Sequence, residues 1–428
     1  MFTKKTIEDV DVKDKTVLVR VDYNVPLKDG KVADDYRIRQ SLPTLKYLLN
    51  KQARLILISH LGRPEGKPDP AYSLKPVSES LGKLLGSDVL FVNDCIGRAV
   101  EDALSGLKPG QAMLCENLRF HAEEENNDEQ FAKKLAGKAE LFVQDGFGVV
   151  HRAHASTDAV THYLPSVAGL LLKKEVDTIT DVMSQPKRPL MAIIGGAKIA
   201  DKIDLIKKFI TLADIVAVGG AMANTFLLSK DIFIGDSLAE RDEIPLAKDI
   251  MRLAAEEGAK RDFVFSLPYD AVVSGRIDPA STTRIVDWGS NVVADIENYP
   301  KRVPESASIL KNHEMILDIG PFSGSFIAGC LQLVDTVVWN GTMGVTETKS
   351  LQGPIGPYAH GTELVIDGIL GQFGHRPFSL VGGGDTVGYI ESRGLLEKFD
   401  HVSTGGGASL ELMAGRVLPG VAALEDAK

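Results

Sequence analysis

The chain has 428 residues, 44% of them apolar and 25% charged, with a mean hydropathy of zero. That balance belongs to an ordinary globular protein of two or three domains and excludes disordered and fibrous classes. A formal net charge of −10 argues against a nucleic-acid partner, which calls for a basic face, so any attraction for anions has to be local.

The first fifteen residues, MFTKKTIEDVDVKDK, contain no apolar stretch of the kind a secretory signal needs. No window approaches the ~18 apolar residues of a membrane helix, so no membrane partner is expected. Cys95, Cys115 and Cys330 are far apart and lack metal-ligand spacing. They read as idle thiols, and a cytoplasmic setting is expected. Short β-branched runs then recur along the first half: TVLVRV (16–21), RLILIS (54–59), DVLFVN (88–93), AMLC (112–115) and ELFVQ (140–144). Helical periods such as 41–51 and 128–138 separate them. KKEVDTITDVMSQPKRP (173–189) reads as a charged helix ended by Pro186 and Pro189. The second half continues with PLMAII (189–194), DIVAV (214–218), DFVFSL (262–267), MILDI (315–319), DTVVWN (335–340), FSLVG (378–382) and HVST (401–404). The stretch 278–308 is loop-rich and has no clear pattern.

Apolar strands alternating with helices predict an α/β protein whose parallel sheets are covered on both faces. One sheet of about twelve strands would be unusually wide. Two doubly wound, Rossmann-like domains are expected instead, at 1–172 and 190–407, joined by a hinge helix at 173–189.

Ligands of such sheets bind beyond the carboxyl ends of the strands. In the first half those positions hold Asp22 and Asn24, then His60 and Arg63, then Arg119, and finally His151, Arg152 and His154 in GFGVVHRAHAS (146–156). Arg37 precedes a helix near the first of these loops. Guanidinium forks suit carboxylate and phosphate oxygens, so the repeated pattern predicts an anion pocket with the two histidines and Arg152 as one wall. In the second half the strands end in glycine: IIGGAKIADK (193–202), VGGAMANT (218–225), WNGTMG (339–344), VGGGDTVG (381–388) and STGGGASLE (403–411). Such turns let backbone N–H groups approach a polyphosphate at helix N-termini. Lys198 and Lys202 stand four apart and are expected on one face of a helix start. Asp385, beside the expected phosphates, calls for an intervening Mg²⁺. Neither a Walker A loop nor a complete GxGxxG is present, which argues against a nicotinamide dehydrogenase.

RVDYNVP, DDYRIRQSLPT, SHLGRP, ENLRFHAEEE, GFGVVHRAHAS, GGAKIADKI, GGAMANTF, WNG, GGGDT and HVSTGGGASLELMAG follow one another in an order that closely resembles the phosphoglycerate kinase family. The resemblance implies an N-terminal lobe for 3-phosphoglycerate, a C-terminal lobe for ADP or ATP, and a tail at 408–428 returning to the first lobe. It implies the reversible reaction of 1,3-bisphosphoglycerate with ADP to give 3-phosphoglycerate and ATP, by a monomer whose lobes close. By the same resemblance Asp22, Asn24, His60, Leu61, Gly62, Arg63, Arg119, His151, Arg152 and His154 would form the phosphoglycerate site. Arg37, Lys198 and the N–H groups at Gly384 and Gly406 would stabilise the phosphoryl group in flight. Gly196 and Lys202 would hold nucleotide phosphates, Gly219 and Gly220 would flank adenine, and Glu347 would take the ribose. Gly383, Gly384, Asp385 and Thr386 would hold the β-phosphate end, with Asp385 facing its Mg²⁺, and Asn340 would also bind the nucleotide. Against the family pattern, WNG is followed here by Thr342 and Met343 in place of a proline, which is expected to loosen the Glu347 loop. Ile316 replaces a glycine, and 278–308 is longer than usual. A non-catalytic relative acting as a binding protein is the alternative, but it would lack Arg37, Lys198, Lys202 or Asp385, and all four are present.

Overall fold

The computed structural model describes residues 2–288 and 310–427. By its contacts the chain forms two compact units, Met1–Asp181 with Gly407–Lys428, and Val182–Gly406. The division falls inside the helix Leu170–Ser184, which starts three residues before the expected 173 and stops ahead of Pro186.

The first unit begins with β1 (Thr16–Arg20), a hairpin of β2 (Leu27–Lys28) and β3 (Lys31–Val32), and β4 (Arg54–Ile58). It continues with β5 (Val89–Val92), β6 (Ala112–Cys115), β7 (Leu141–Gln144) and β8 (Ser166–Ala168). Six of these form one parallel sheet in the order β5-β6-β4-β1-β7-β8. Every residue of β1 is buried: Val17 and Val19 join the core on one face, Leu18 the core on the other. This is why the run carries no polar alternation. Helices close the faces with local signals. Asp128, for example, accepts from the Phe131 N–H at 2.7 Å to start Glu129–Ala136, and Gly137 at φ +46° ends it. Asp29 and Gly30, both at positive φ, make the two-residue turn of the β2–β3 hairpin. The tail is stitched to the first residues: Lys5 N–H donates to Glu425 O at 2.8 Å and Ala427 N–H to Thr3 O at 2.8 Å.

The second unit contains β9 (Leu190–Ile194), β10 (Ile215–Val218), β11 (Val264–Ser266), β12 (Asp270–Ser274), β13 (Arg284–Asp287) and β14 (Met315–Ile319). β15 (Thr336–Asn340), β16 (Phe378–Gly382) and β17 (His401–Val402) complete it. The parallel sheet runs β11-β10-β9-β15-β16-β17, the doubly wound 3-2-1-4-5-6 order. The direction of winding reverses between β9 and β15. One expectation is corrected here. MILDI is not a strand of the parallel sheet; as β14 it pairs antiparallel with β12, which also pairs with β13, in a separate three-stranded sheet. A short apolar run does not encode the direction of its partner. β13 falls within the unplaced 278–308 segment, of which 289–308 lies outside the described residues.

At the reversal the backbones touch. Gly195 N–H donates to Asn340 O at 2.9 Å and Gly196 N–H to Thr342 O at 3.1 Å. Gly341 sits at φ +100°, and a Cβ there would overlap the Gly195 carbonyl. Gly384, by contrast, has nothing within 4 Å of its Cβ position and opens a helix. Gly341→Ala should therefore lower the unfolding free energy of this unit by about 1–3 kcal/mol or more, whereas Gly384→Ala stays within about 0.5 kcal/mol. Urea unfolding followed by tryptophan fluorescence reads this directly, because both tryptophans, Trp288 and Trp339, belong to the second unit.

Candidate active site

In the first unit the candidates stand where parallel strands end. Beyond β1, Asp22 receives the Arg37 guanidinium at 3.2 Å, and the same Nη1 donates to Asn24 O at 3.0 Å. Beyond β4, the Gly62 N–H donates to Asn24 Oδ1 at 3.0 Å, and Arg119 from the loop after β6 donates to Gly62 O at 2.8 Å. These bonds place Asp22, Asn24, Arg37, Gly62 and Arg119 on one surface. Leu61 and Gly62 are therefore backbone participants. Burial lowers the pKa of Arg119, and the like charges of Arg152 and Arg63 lower it further, against Glu125. Arg119 pairs with Glu125 at 3.0 Å, while Arg63 and Arg152 are exposed.

The histidines differ from a set of positive charges. His60 is buried and lies well below its ordinary pKa, through burial first and then Arg20, Arg119 and Arg37. Its Nδ1 faces Arg20 Nη2 at 3.3 Å; since a guanidinium only donates, that nitrogen accepts and the ring is neutral. Burial and Arg119, Arg20 and Arg152 push His154 down to about 4. His151 is lowered by burial and by Arg152, whose Nε donates to His151 Nε2 at 3.2 Å. Near neutral pH the positive charge of this surface comes from arginine alone, and the imidazoles offer neutral hydrogen bonds.

Three further residues support this surface. Arg20, the last residue of β1, is 1% exposed and donates to Ser156 Oγ at 2.8 Å and to Val21 O. Glu124, also buried, accepts from the same Ser156 hydroxyl at 2.6 Å and from its N–H at 3.0 Å. The Asn117 amide receives Leu61 N–H and Arg119 N–H and donates to Leu61 O and Tyr72 O, which locks the HLGR loop to the NLRF loop. A charged residue inside an apolar strand is the one hint the sequence offered, in TVLVRV.

In the second unit the glycine turns enclose a cavity of about 220 Å³ whose lining includes Gly196, Gly220, Ile316, Met343, Glu347 and Asp385. Gly219 packs on Met343 behind it. Lys202 turns inward: its Nζ donates to Gly195 O at 2.6 Å, and burial lowers its pKa to about 8 although Asp385 opposes the shift. The spacing predicts that Lys198 shares a helix face with it, and that expectation is corrected here. The helix begins only at Ile203, and Lys198 is exposed on the preceding loop. Thr386 Oγ1 accepts from Gly341 N–H at 2.8 Å. Asn340 Nδ2 is a buried donor with no partner, beside Gly383 at φ +96°. Gly384 and Asp385 open the helix Gly384–Ser392. Gly406 is not brought to this cavity; it lies beyond the edge strand β17. Where the family pattern has proline, hydrogen bonds hold the positions that follow WNG. Met343 N–H donates to Thr362 Oγ1 at 3.0 Å and Thr342 Oγ1 to Gly344 O at 3.1 Å.

An arginine-rich surface on one doubly wound unit and, on the other, a glycine-walled cavity with Asp385 in its lining fit a phosphotransferase of small molecules. The phosphoglycerate kinase family model matches residues 7–416. Phosphoglycerate kinase of Moorella thermoacetica is 46% identical over 425 residues, covering 99% of this chain and all of that one. The enzyme of Chloroflexus aggregans is 45% identical over 430 residues, covering both chains fully. Among solved structures, phosphoglycerate kinase from Coxiella burnetii superposes with a TM-score of 0.79 at 33% identity, covering 98% of each chain. That from Pyrococcus horikoshii OT3 gives 0.80 at 28%, covering 99% of this chain and 98% of that one. The chain belongs to the phosphoglycerate kinase family, as a catalytic member.

His154 carries a pH dependence of fixed sign. Its folded pKa, about 4, lies below the ordinary 6.5, so below about 6.5 the unfolded chain takes up a proton that the native one refuses. Its contribution is present above 6.5 and is lost as the pH falls toward 4. His154→Gln lacks this arm, so the stability advantage of wild type over variant should shrink steadily across that window. Hydrogen exchange of β1 and β7 amides at pH 7, 6, 5 and 4 measures it, and a constant difference would refute the neutral buried imidazole.

Proposed function

We propose that the first unit binds 3-phosphoglycerate or 1,3-bisphosphoglycerate on the Asp22, Asn24, His60–Arg63, Arg119, His151, Arg152 and His154 surface, and that the second binds ADP or ATP in the glycine-walled cavity. The observation that carries this is the gathering of Asp22, Asn24, Arg37, Gly62 and Arg119 on one surface by direct contacts, with the Arg63 and Arg152 side chains exposed. Guanidinium forks suit carboxylate and phosphate oxygens. The attacking carboxylate or phosphate oxygen is already ionised at neutral pH, so no general base is needed. Catalysis is positioning and neutralisation of charge on the phosphoryl group. Arg37 is set for that role: Asp22 and the Asn24 carbonyl hold its guanidinium, which remains 28% exposed.

On the nucleotide side the residues fit a Mg²⁺-nucleotide. The unpartnered Asn340 Nδ2, the inward Lys202 ammonium and the start of the Gly384–Ser392 helix all favour phosphate oxygens. Asp385 is the carboxylate that would face the Mg²⁺, which would screen phosphate charge. Lys198, exposed on its loop, is free to follow the transferred group, and Glu347 lies at the cavity wall for the ribose. Gly384, at the start of its helix, would offer a backbone N–H to that group. The segment 173–189 serves as the hinge that lets the two substrates meet, and the enzyme works as a cytoplasmic monomer.

Arg37→Ala should lower kcat by on the order of 10²–10³ while leaving the ADP affinity within a few-fold. A coupled assay with ATP and 3-phosphoglycerate, together with nucleotide titration, measures both. An unchanged kcat would remove Arg37 from the reacting centre.

A further inference from the structure

The parallel sheet of the first unit sets the ends of β5 and β6 side by side, with Val92 opposite Cys115. Two loops that are distant in sequence therefore meet. The loop after β5 carries Asp94 and Cys95, and the turn Leu118–Phe120 after β6 ends on His121. His121 Nε2 lies 2.9 Å from Asp94 Oδ1. One carboxylate oxygen of Asp94, the Cys95 sulfur and one imidazole nitrogen of His121 all lie within 4.8 Å of one another. Among the described residues this is the one group of three metal-ligating side chains gathered so closely. The Asp94 and His121 side chains are 42% and 28% exposed, so solvent reaches the group through them, while Cys95 is buried. Local contacts orient the group. Asp94 Oδ1 accepts from the Cys95 N–H at 2.7 Å, and the His121 ring packs on Phe131 with centroids 5.2 Å apart. Such supporting contacts are what holds metal ligands in place.

We propose that Asp94, Cys95 and His121 bind a zinc ion through a carboxylate oxygen, the thiolate and an imidazole nitrogen, with water at the fourth position. Three protein ligands drawn from nitrogen, oxygen and sulfur suit a tetrahedral zinc with one open position. Zinc at its usual bond lengths sets neighbouring ligand atoms about 3.3–3.8 Å apart, so closing the present spacing takes a side-chain adjustment of about 1 Å. The thiolate selects against Mg²⁺ and Ca²⁺, which take oxygen ligands. Charge favours the ion as well. A carboxylate, a thiolate and a neutral imidazole carry two negative charges together, which a divalent cation cancels. Asp94 and Glu124 also direct negative charge at Cys95, which disfavours a bare thiolate and favours a cation beside it. On binding, the Cys95 thiol releases its proton to solvent, the sulfur–zinc bond replaces it, and His121 coordinates as the neutral imidazole. The ion ties the loop after β5 to the NLRF loop that carries Arg119. A cysteine with no ligand at metal spacing in the sequence thus acquires its partners across two strand ends.

The test uses the full-length, reduced, nucleotide-free protein, with Co²⁺ as a spectroscopic probe and Zn²⁺ as its competitor. Wild type should develop a thiolate-to-cobalt charge-transfer band that saturates at one equivalent and disappears when Zn²⁺ is added. Cys95→Ser should lose the band, and Cys330→Ser should keep it. His121→Gln and Asp94→Asn should each weaken Zn²⁺ binding, measured by titration calorimetry, by at least about tenfold. Both of those side chains are partly exposed, so their variants decide the matter if Cys95→Ser does not fold. No band in wild type, a band that survives Cys95→Ser or depends on Cys330, or a Zn²⁺ affinity indifferent to His121→Gln or Asp94→Asn would overturn the assignment.

Discussion

A parallel sheet delivers the carboxyl end of every strand to one edge, and both candidate sites follow from that constraint. In the first unit the edge is furnished with side chains: Asp22 after β1, His60 to Arg63 after β4, Arg119 after β6, and Arg152 after β7. In the second the edge is furnished with backbone, since glycine ends β9, β10, β15 and β16. The same topology thus makes a surface of charged side chains in one unit and a cradle of backbone groups in the other. In a chain of net charge −10 the positive charge at the first edge is a matter of local placement and not of total charge.

The arginine surface depends on what lies beneath it. Arg20 is a permanent charge within the central strand of the first unit, and isolated burial of a guanidinium is costly. Ser156 Oγ, Val21 O and His60 Nδ1 take its donors, while Glu124 supplies the opposing charge through Ser156. Burial raises the pKa of Glu124 and Arg20 opposes that rise, so each ion makes the other tolerable. The consequence reaches the surface. With Arg20 donating to it, His60 stays neutral and leaves the exposed guanidiniums as the charge that an incoming anion meets.

Most of the architecture was legible because buried parallel strands are written as unbroken apolar runs. AMLC and FSLVG match β6 and β16 residue for residue. β8 was not legible: it is three residues long after Pro165 and lies at the edge of its sheet, too short to show a pattern of its own. β12 was hidden between Pro268 and Gly275, and the direction of MILDI depended on it. Site residues at strand ends could be read from residue type. Their protonation could not, because the neutrality of His60 and His154 comes from neighbours as distant as Arg20 and Arg119. The facing of Lys198 and Lys202 failed for a local reason. A spacing of four implies one face only within a helix, and this helix starts at Ile203.

The departures from the family pattern show where rigidity can be exchanged between covalent and hydrogen-bonded means. A proline after WNG would fix the backbone through its ring. Here Thr342 and Met343 stand in that loop, and Met343 N–H, a donor proline lacks, is held by Thr362 while Gly341 N–H is held by Thr386. The buried Met343 side chain packs under Gly219 and fills space with a flexible thioether. Ile316 replaces the small residue with a branched side chain on the cavity wall, its N–H fixed by Ser237 Oγ at 2.8 Å. The substitutions thus fall on the cavity wall, while the backbone at Gly195, Gly196 and Gly341 keeps its hydrogen bonds.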